Sequence, residues 1–266
     1  MLSERRSRQV RYAVGIGCAV ALVAIFAYAD YVWPHQARFP GPATAAGRSL
    51  DQQHQDEEAQ LRRQQRAAQV VLRTRTPALL VVGDSLTQGY GATDEDTKDY
   101  LALTVGWLRG HGETPTVTDV HASGRTIGET FLQLRAKDGI DEAVRGVDLA
   151  VVELGTNNVG TGTSAAARQY RRLLRWIHAH APEAQLLCLG TWGDPSRTRE
   201  YDDAIADACE AAGGKFHALS QLYAVHGNRN HAGTLPNGRT VDSFHPSDQG
   251  YRQIAKVVEQ AIRLSR

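Results

Sequence analysis

The sequence is poor in cysteine, methionine and aromatic residues. Three cysteines and one methionine occur among 266 residues, and aromatic side chains make up 7%. So few cysteines exclude a small scaffold held together by disulfides. An excess of charge is missing as well, since 30 lysines and arginines stand against 29 aspartates and glutamates, a net charge of +1. We therefore expect no nucleic acid as a partner.

Two cysteines lie in the second half of the chain, Cys188 in an apolar run and Cys209 in a helical stretch. They could pair in an oxidising compartment, but a strand position and a helix position seldom meet the geometry of a disulfide. We therefore expect two buried free thiols. The third, Cys18, is expected to be a small residue embedded in a membrane.

One long segment lacks charge altogether. Residues 12–29 contain no charged side chain and follow Arg5, Arg6, Arg8 and Arg11. If residues 31–33 form its end at the membrane interface, this segment is long enough for a spanning helix. The arginines predict that the N-terminus stays in the cytoplasm. Ala27-Tyr28-Ala29 resembles a signal-peptidase site, so cleavage and secretion are the alternative. The hydrophobic regions of signal peptides have about 7–15 residues and are shorter than this segment, which favours an anchor. Both alternatives place the remaining chain outside the cytoplasm.

The chain after this segment changes character twice. Residues 34–47 are rich in proline, glycine and alanine, which is typical of an irregular tether, and 51–75 form a polar, helix-prone spacer. From Pro77 onward, short apolar runs alternate with amphipathic stretches, which predicts βα units around a parallel sheet. The predicted organisation is a basic cytoplasmic N-terminus at 1–11, a transmembrane anchor or signal peptide at 12–33, a linker and helical spacer at 34–75, and a globular domain at 76–266.

We predict five strands and five helices in the globular domain. The strands lie near 78–83, 116–121, 147–154, 185–190 and 214–219. The helices lie near 97–110, 128–145, 163–180, 198–212 and 247–264. The fold class is α/β.

Two motifs at opposite ends of this domain complement each other chemically. Gly83-Asp84-Ser85-Leu86 directly follows the first predicted strand, and Asp242-Ser243-Phe244-His245-Pro246 precedes the last predicted helix. A serine hydroxyl becomes a good nucleophile when an imidazole takes its proton and a carboxylate orients that imidazole. Ser85, His245 and Asp242 suit these three roles, although either motif alone is also compatible with a turn or a helix entry.

Two further segments follow predicted strands. Ser123-Gly124-Arg125 comes after the second strand, and Gly155-Thr156-Asn157-Asn158 after the third. Open α/β sheets bind ligands at the carboxyl ends of their strands. We therefore expect all four segments to meet in one site.

With these motifs, residues 76–264 resemble the SGNH, or GDSL, hydrolase family, whose four ordered blocks carry Ser, Gly, Asn and His. Ser85, Gly124, Asn157 and His245 match the blocks in that order. The resemblance implies a three-layer α/β/α sandwich with a flavodoxin-like strand order. It also implies an oxyanion hole made by the backbone N–H groups of Ser85 and Gly124 and the side-chain amide of Asn157. Asn158 stands where the family usually has aspartate, which puts the hydrogen bonding of that loop in question.

The expected function is that of a membrane-anchored, outward-facing serine esterase acting on short acyl esters or O-acylated glycans, without metal or cofactor. One alternative is an acyltransferase that uses the same triad on an envelope polysaccharide. The other is a binding or structural envelope protein that has lost turnover. The oligomeric state does not follow from the sequence.

Several other residues are candidates of lesser weight. His217, His226 and His231 have spacings that match no compact metal-ligand pattern. Trp192 either lines the pocket or packs in the core. Arg125 either meets a carboxylate or sugar or faces solvent, and the loop from His226 to Val241 is a candidate pocket wall.

Overall fold

The computed structural model describes residues 67–265, together with Gln55 and Gln65. The predicted membrane segment at 12–33 and most of the predicted spacer lie outside these residues. Within the described part of the chain, no helix combines the length and the hydrophobicity needed to cross a membrane.

A five-stranded parallel sheet forms the centre of the domain. Its strands are β2 (Ala78–Gly83), β3 (Thr116–His121), β4 (Leu149–Glu153), β5 (Gln185–Leu189) and β6 (Lys215–His217). A further strand, β1 (Val70–Leu72), precedes them in the chain and lies outside this sheet. The order across the sheet is β3-β2-β4-β5-β6, and every neighbouring pair is parallel. The strand predictions are confirmed, with small differences at the ends of the last three.

Helices cover both faces of this sheet. They are α1 (Glu95–Lys98), α2 (Tyr100–Gly110), α3 (Ile127–Ala136), α4 (Ile140–Ala143), α5 (Thr163–His180), α6 (Pro195–Ala211), α7 (Ser220–Tyr223) and α8 (Asp248–Ala261). The five predicted helices all occur, but two are divided, into α1 with α2 and into α3 with α4.

The alternation of side chains along β2 builds two separate cores. Leu80 and Val82 point to one face and join the cluster that contains α3, α4, α5 and α6. Leu79 and Val81 point to the other face and join the cluster that contains α2 and α8. Because both faces of a parallel sheet are buried, β2 is apolar at every position. The architecture is therefore three-layered.

The two ends of the described chain pair with each other, which corrects two predictions. Val70–Leu72, expected in the last turn of a spacer helix, form β1. Ile262–Leu264, expected at the end of the last helix, form β9, which runs parallel to β1. The buried side chains of Val70, Leu72 and Ile262 pack in the same core as α8. Burial between distant segments thus overrides the local helical preference.

The expectation of free thiols is wrong. Cys188 in β5 and Cys209 in α6 form a disulfide, with their Cα atoms 6.3 Å apart. Both side chains are fully buried on the same face of the sheet. Because α6 leads from β5 into β6 and packs over this face, its inward side meets the strand at bonding distance.

The strand order places three loops side by side. Since β2 lies between β3 and β4, the segments that follow these strands emerge at adjacent positions on one edge of the sheet. A small antiparallel ribbon of β7 (Gly233–Thr234) and β8 (Thr240–Val241) leads to Asp242. Ser247 then caps α8 by accepting a hydrogen bond from Gly250 N–H.

Candidate active site

Ser85 lies in a tight turn at the end of β2. The backbone N–H of Tyr90 donates to the Ser85 carbonyl over 2.9 Å, and that of Gln88 donates to the Asp84 carbonyl over 3.1 Å. The Asp84 carboxylate accepts a further hydrogen bond from Leu86 N–H at 3.1 Å. These bonds fix the backbone around Ser85, which is 5% exposed.

His245 and Asp242 complete a chain of hydrogen bonds with Ser85. The distance from Ser85 Oγ to His245 Nε2 is 3.0 Å, and that from His245 Nδ1 to Asp242 Oδ2 is 2.8 Å. Asp242 Oδ1 accepts the backbone N–H groups of Phe244 and His245, each at 2.9 Å. The structure therefore brings together the three residues that the sequence motifs singled out.

These contacts determine the charge of Asp242. Partial burial raises the pKa of its carboxyl group, but the hydrogen bonds from the backbone and ring of His245 and from Phe244 N–H hold the pKa below its ordinary value. A carboxylate that stays ionised can keep Nδ1 of His245 protonated. Nε2 is then available as the proton acceptor that faces Ser85.

Aromatic side chains support the histidine. The rings of Tyr90 and His245 have centroids 4.4 Å apart, and Phe244 meets the imidazole edge-on at 5.2 Å. Trp192 is fully buried, and its indole N–H donates to the Phe244 carbonyl at 2.7 Å. Of the two roles considered for Trp192, the structure shows core packing, combined with support of the histidine loop.

Asn157 connects the turn of Ser85 to the segment that contains Gly124. The Asn157 amide donates to Asp84 Oδ2 at 2.9 Å and to the Arg125 carbonyl at 3.1 Å. Gly124 has a φ of 71°, in the left-handed region that favours glycine, and a Cβ there would meet no atom within 4 Å. The Arg125 side chain is exposed and pairs with Glu129 at 3.3 Å. The second and third motifs are thus joined through Asn157.

Asn158 forms a second bridge between these loops. Its Oδ1 accepts a hydrogen bond from Ile127 N–H at 2.9 Å, at the start of α3, and its amide donates to Gln169 Oε1 at 3.2 Å. The acceptor role is one that an aspartate can also fill. The departure from the family pattern therefore leaves this bridge intact.

Two carboxyl groups are fully buried at the turn, that of Asp84 within it and that of Glu153 at the end of β4. Glu153, the last residue of β4, accepts hydrogen bonds through Oε2 from Asp84 N–H at 3.3 Å and from the Thr87 hydroxyl at 3.0 Å. Burial raises the pKa of Glu153 well above its ordinary value, and the nearby Asp84 carboxyl raises it further. Burial also raises the pKa of Asp84, to about 7, against the hydrogen bonds that lower it.

The three candidate histidines lie in two different parts of the chain. His217 Nε2 contacts the Ala68 carbonyl at 3.0 Å, and His226 and His231 are in the loop between α7 and β7. Among residues 67–265, no group of three His, Cys, Asp or Glu side chains is arranged to hold a metal ion.

Sequence reasoning missed Glu153 and also Asn230, whose backbone N–H donates to the His245 carbonyl at 3.1 Å. Glu153 ends an apolar run, where a carboxylate normally marks the exit from a strand. Asn230 is one of several polar residues in a loop, and nothing in its immediate sequence distinguishes it from its neighbours. Only the contacts of the folded chain distinguish these two residues.

Comparison with known proteins places the domain in a family. The profile of the GDSL-like Lipase/Acylhydrolase family matches residues 81–253, which is more than half of the chain. Among curated proteins, no sequence matches the chain.

Solved structures share the fold at low sequence identity. TesA is 22% identical with a TM-score of 0.52, over 68% of this chain and 95% of its own. AlinE4, described as an SGNH-hydrolase family esterase, is 21% identical with a TM-score of 0.51, over 63% and 90%. A two-domain esterase described as active on acetylated mannans is 17% identical with a TM-score of 0.51, over 74% of this chain and 50% of its own.

Proposed function

Because the chain belongs to the GDSL-like lipase/acylhydrolase family and is a serine ester hydrolase, we propose that it is an extracytoplasmic esterase that cleaves short-chain acyl esters with Ser85, His245 and Asp242. The observation that carries this proposal is the 3.0 Å contact between Ser85 Oγ and His245 Nε2, continued by the 2.8 Å contact from Nδ1 to Asp242. This arrangement suits the transfer of a proton away from the attacking hydroxyl.

The reaction proceeds in two halves. Ser85 Oγ attacks the ester carbonyl while His245 Nε2 takes the hydroxyl proton, and the protonated imidazole then gives that proton to the departing alcohol. Water attacks the acyl-enzyme with His245 as the base, and the proton returns to Ser85 as the acid leaves. Asp242 remains ionised throughout and stabilises the imidazolium.

The oxyanion of each tetrahedral intermediate is assigned to the N–H groups of Ser85 and Gly124 and the amide of Asn157. The Asn157 amide is held by Asp84 at 2.9 Å and by the Arg125 carbonyl at 3.1 Å. The longer contact is the one that the substrate oxygen would displace, while Asp84 keeps the amide oriented. An oriented donor of this kind stabilises charge without having to reorganise during the reaction.

The loop before Asp242 favours a short acyl group. Residues 226–231 are His, Gly, Asn, Arg, Asn and His, and they offer no long aliphatic side chain. A long acyl chain needs a large apolar groove beside the nucleophile. We expect acetyl esters on a polar carrier, such as an O-acetylated glycan, and the described activity of the mannan-active esterase is in line with this choice.

Two features support a location outside the cytoplasm. The uncharged segment at 12–29, preceded by arginines, predicts export. The disulfide between Cys188 and Cys209 is typical of oxidising compartments. Resistance to alkaline carbonate extraction, together with protease access from outside intact cells, would test the anchored form; a soluble form that begins near Asp30 would show cleavage instead.

The central test compares Ser85→Ala with Ser164→Ala, which removes an exposed hydroxyl at the start of α5. The full-length protein in detergent should hydrolyse p-nitrophenyl acetate, and a fluorophosphonate should label Ser85. Ser85→Ala should abolish both signals while remaining folded, and Ser164→Ala should keep both. Turnover that survives in folded Ser85→Ala would refute the serine mechanism.

The same assay tests the acyl group. Activity should be highest for acetyl or butyryl esters and decline toward palmitoyl esters. A maximum at palmitoyl would contradict the short-chain proposal without affecting the proposed mechanism.

A further inference from the structure

The proposed nucleophile and base reach each other from two loops that are distant in the sequence. The turn after β2 carries Ser85, and the segment between α7 and α8 carries Asp242 and His245. Neither loop belongs to a strand of the five-stranded sheet. The distance between Ser85 and His245 therefore depends on the contacts that hold each loop, including those between the two loops.

Asn230 makes three hydrogen bonds that bracket His245. Its backbone N–H donates to the His245 carbonyl at 3.1 Å. Its side-chain amide donates to the Pro246 carbonyl at 2.8 Å and to the Gly91 carbonyl at 2.9 Å. The amide thus uses one contact to hold the histidine loop and the other to hold the serine loop.

The backbone at Gly91 is shaped for this contact. Gly91 has a φ of 97°, and a Cβ built there would lie 2.7 Å from Asn230 Nδ2, 2.8 Å from the Pro246 carbonyl oxygen and 3.2 Å from His245 Cβ. No side chain fits into this space. The absence of a Cβ allows the serine loop to approach the histidine loop closely enough for a single amide to bridge them.

Other contacts between the same parts of the chain do not involve Asn230. Tyr251 in α8 donates its hydroxyl to the Tyr90 carbonyl at 2.8 Å. The Asn237 amide donates to the Thr93 carbonyl at 2.7 Å. Loss of the Asn230 side chain would therefore leave the two loops attached to the domain, but without the bridge nearest to His245.

We propose that Asn230 is a positioning residue that sets the distance and orientation of His245 relative to Ser85, an inference that rests on the proposed function of these two residues. The Asn230 side chain holds the backbone of the serine loop at Gly91 and that of the histidine loop at Pro246, and it does not act on the substrate. Its loss should reduce the rate of the chemical step and leave the binding of a small ester unchanged.

The test compares three variants of the full-length protein in detergent. Asn230→Ala removes the bridge, whereas Asn230→Asp keeps its size but cannot donate to the two carbonyls when ionised. Asn237→Ala is the matched control, since it removes an amide-to-carbonyl bond between the same parts of the chain whose acceptor is Thr93 rather than a residue next to His245.

With p-nitrophenyl acetate, both Asn230 variants should lose about tenfold or more in kcat, because small misplacements of catalytic groups carry large costs, while KM changes less than about twofold. Asn237→Ala should retain kcat. Similar thermal midpoints for Asn230→Ala and Asn237→Ala would exclude a general loss of stability as the cause. Asn230→Asp with wild-type kcat would overturn the proposal, because it would show that the side chain serves only to fill space.

A second readout does not require turnover. In ¹H–¹⁵N NMR spectra, the imidazole N–H of His245 that faces Asp242 should exchange faster in Asn230→Ala than in the wild type or in Asn237→Ala. If the wild type hydrolyses no ester, the proposed function fails, while this comparison still tests the bridge. Unchanged exchange in Asn230→Ala would refute the positioning role.

Discussion

Replacing Glu153 by glutamine should flatten the pH dependence of stability. Glu153 is fully buried, and among the described residues its Oε1 has no hydrogen-bond partner. Burial raises its pKa well above the ordinary value of 4.5, and Asp84 adds to this effect. The folded protein should therefore keep Glu153 protonated to a higher pH than the unfolded chain, which releases this proton near pH 4.5.

The size of the effect follows from proton linkage. Above pH 4.5 the folded state binds one proton more than the unfolded state, so stability falls by about 1.4 kcal/mol per pH unit until the folded-state pKa is reached. Glu153→Gln has no such proton, so above pH 4.5 its free energy of unfolding relative to wild type should rise by about 1.4 kcal/mol per pH unit. The fixed energetic effect of burying the amide is the same at each pH and cancels from this change.

Urea denaturation followed by tryptophan fluorescence at several pH values would measure the effect, since Trp192 is fully buried. Glu183→Gln, which changes an exposed glutamate, is the control and should follow the wild type. If the curves of wild type and Glu153→Gln run parallel from pH 4.5 to pH 7, Glu153 is ionised in the folded protein. The conclusion that burial holds it neutral would then be wrong.

Three further predictions concern the site and the disulfide. Asn157→Ala should lower kcat about a hundredfold or more, the usual loss for one oxyanion donor, with a smaller change in KM; a nearly unchanged rate in steady-state kinetics would give Asn157 a structural role only. Replacing Cys188 and Cys209 by serine should cost about 3 kcal/mol in the free energy of unfolding, and equal stability of both forms in urea would contradict a stabilising disulfide. Asn158→Asp should keep kcat within a few-fold, because a carboxylate can still accept the Ile127 N–H; a hundredfold loss would instead assign the amide of Asn158 an essential role.

Local pattern was sufficient for the central sheet and for the location of the site. The apolar run at 78–83 and the alternation of the later segments predicted strands that the structure contains almost at the same bounds. Because parallel strands end at a common edge, the segments with Ser85, Gly124 and Asn157 could be assigned to one site before any distance was known. Their catalytic roles remain predictions.

The pairing of distant segments was decided only by the tertiary structure. Val70–Leu72 are a strand because Ile262–Leu264 lie beside them, and Cys188 bonds to Cys209 because α6 turns that face toward β5. The sequence around each segment carries no record of its partner. The same limit explains why Glu153 and Asn230 were missed: Glu153 matters because the turn of Ser85 covers it, and Asn230 because two loops meet at its amide. Propensity and periodicity act over a few residues, whereas these contacts exist only after the sheet has brought remote parts of the chain together.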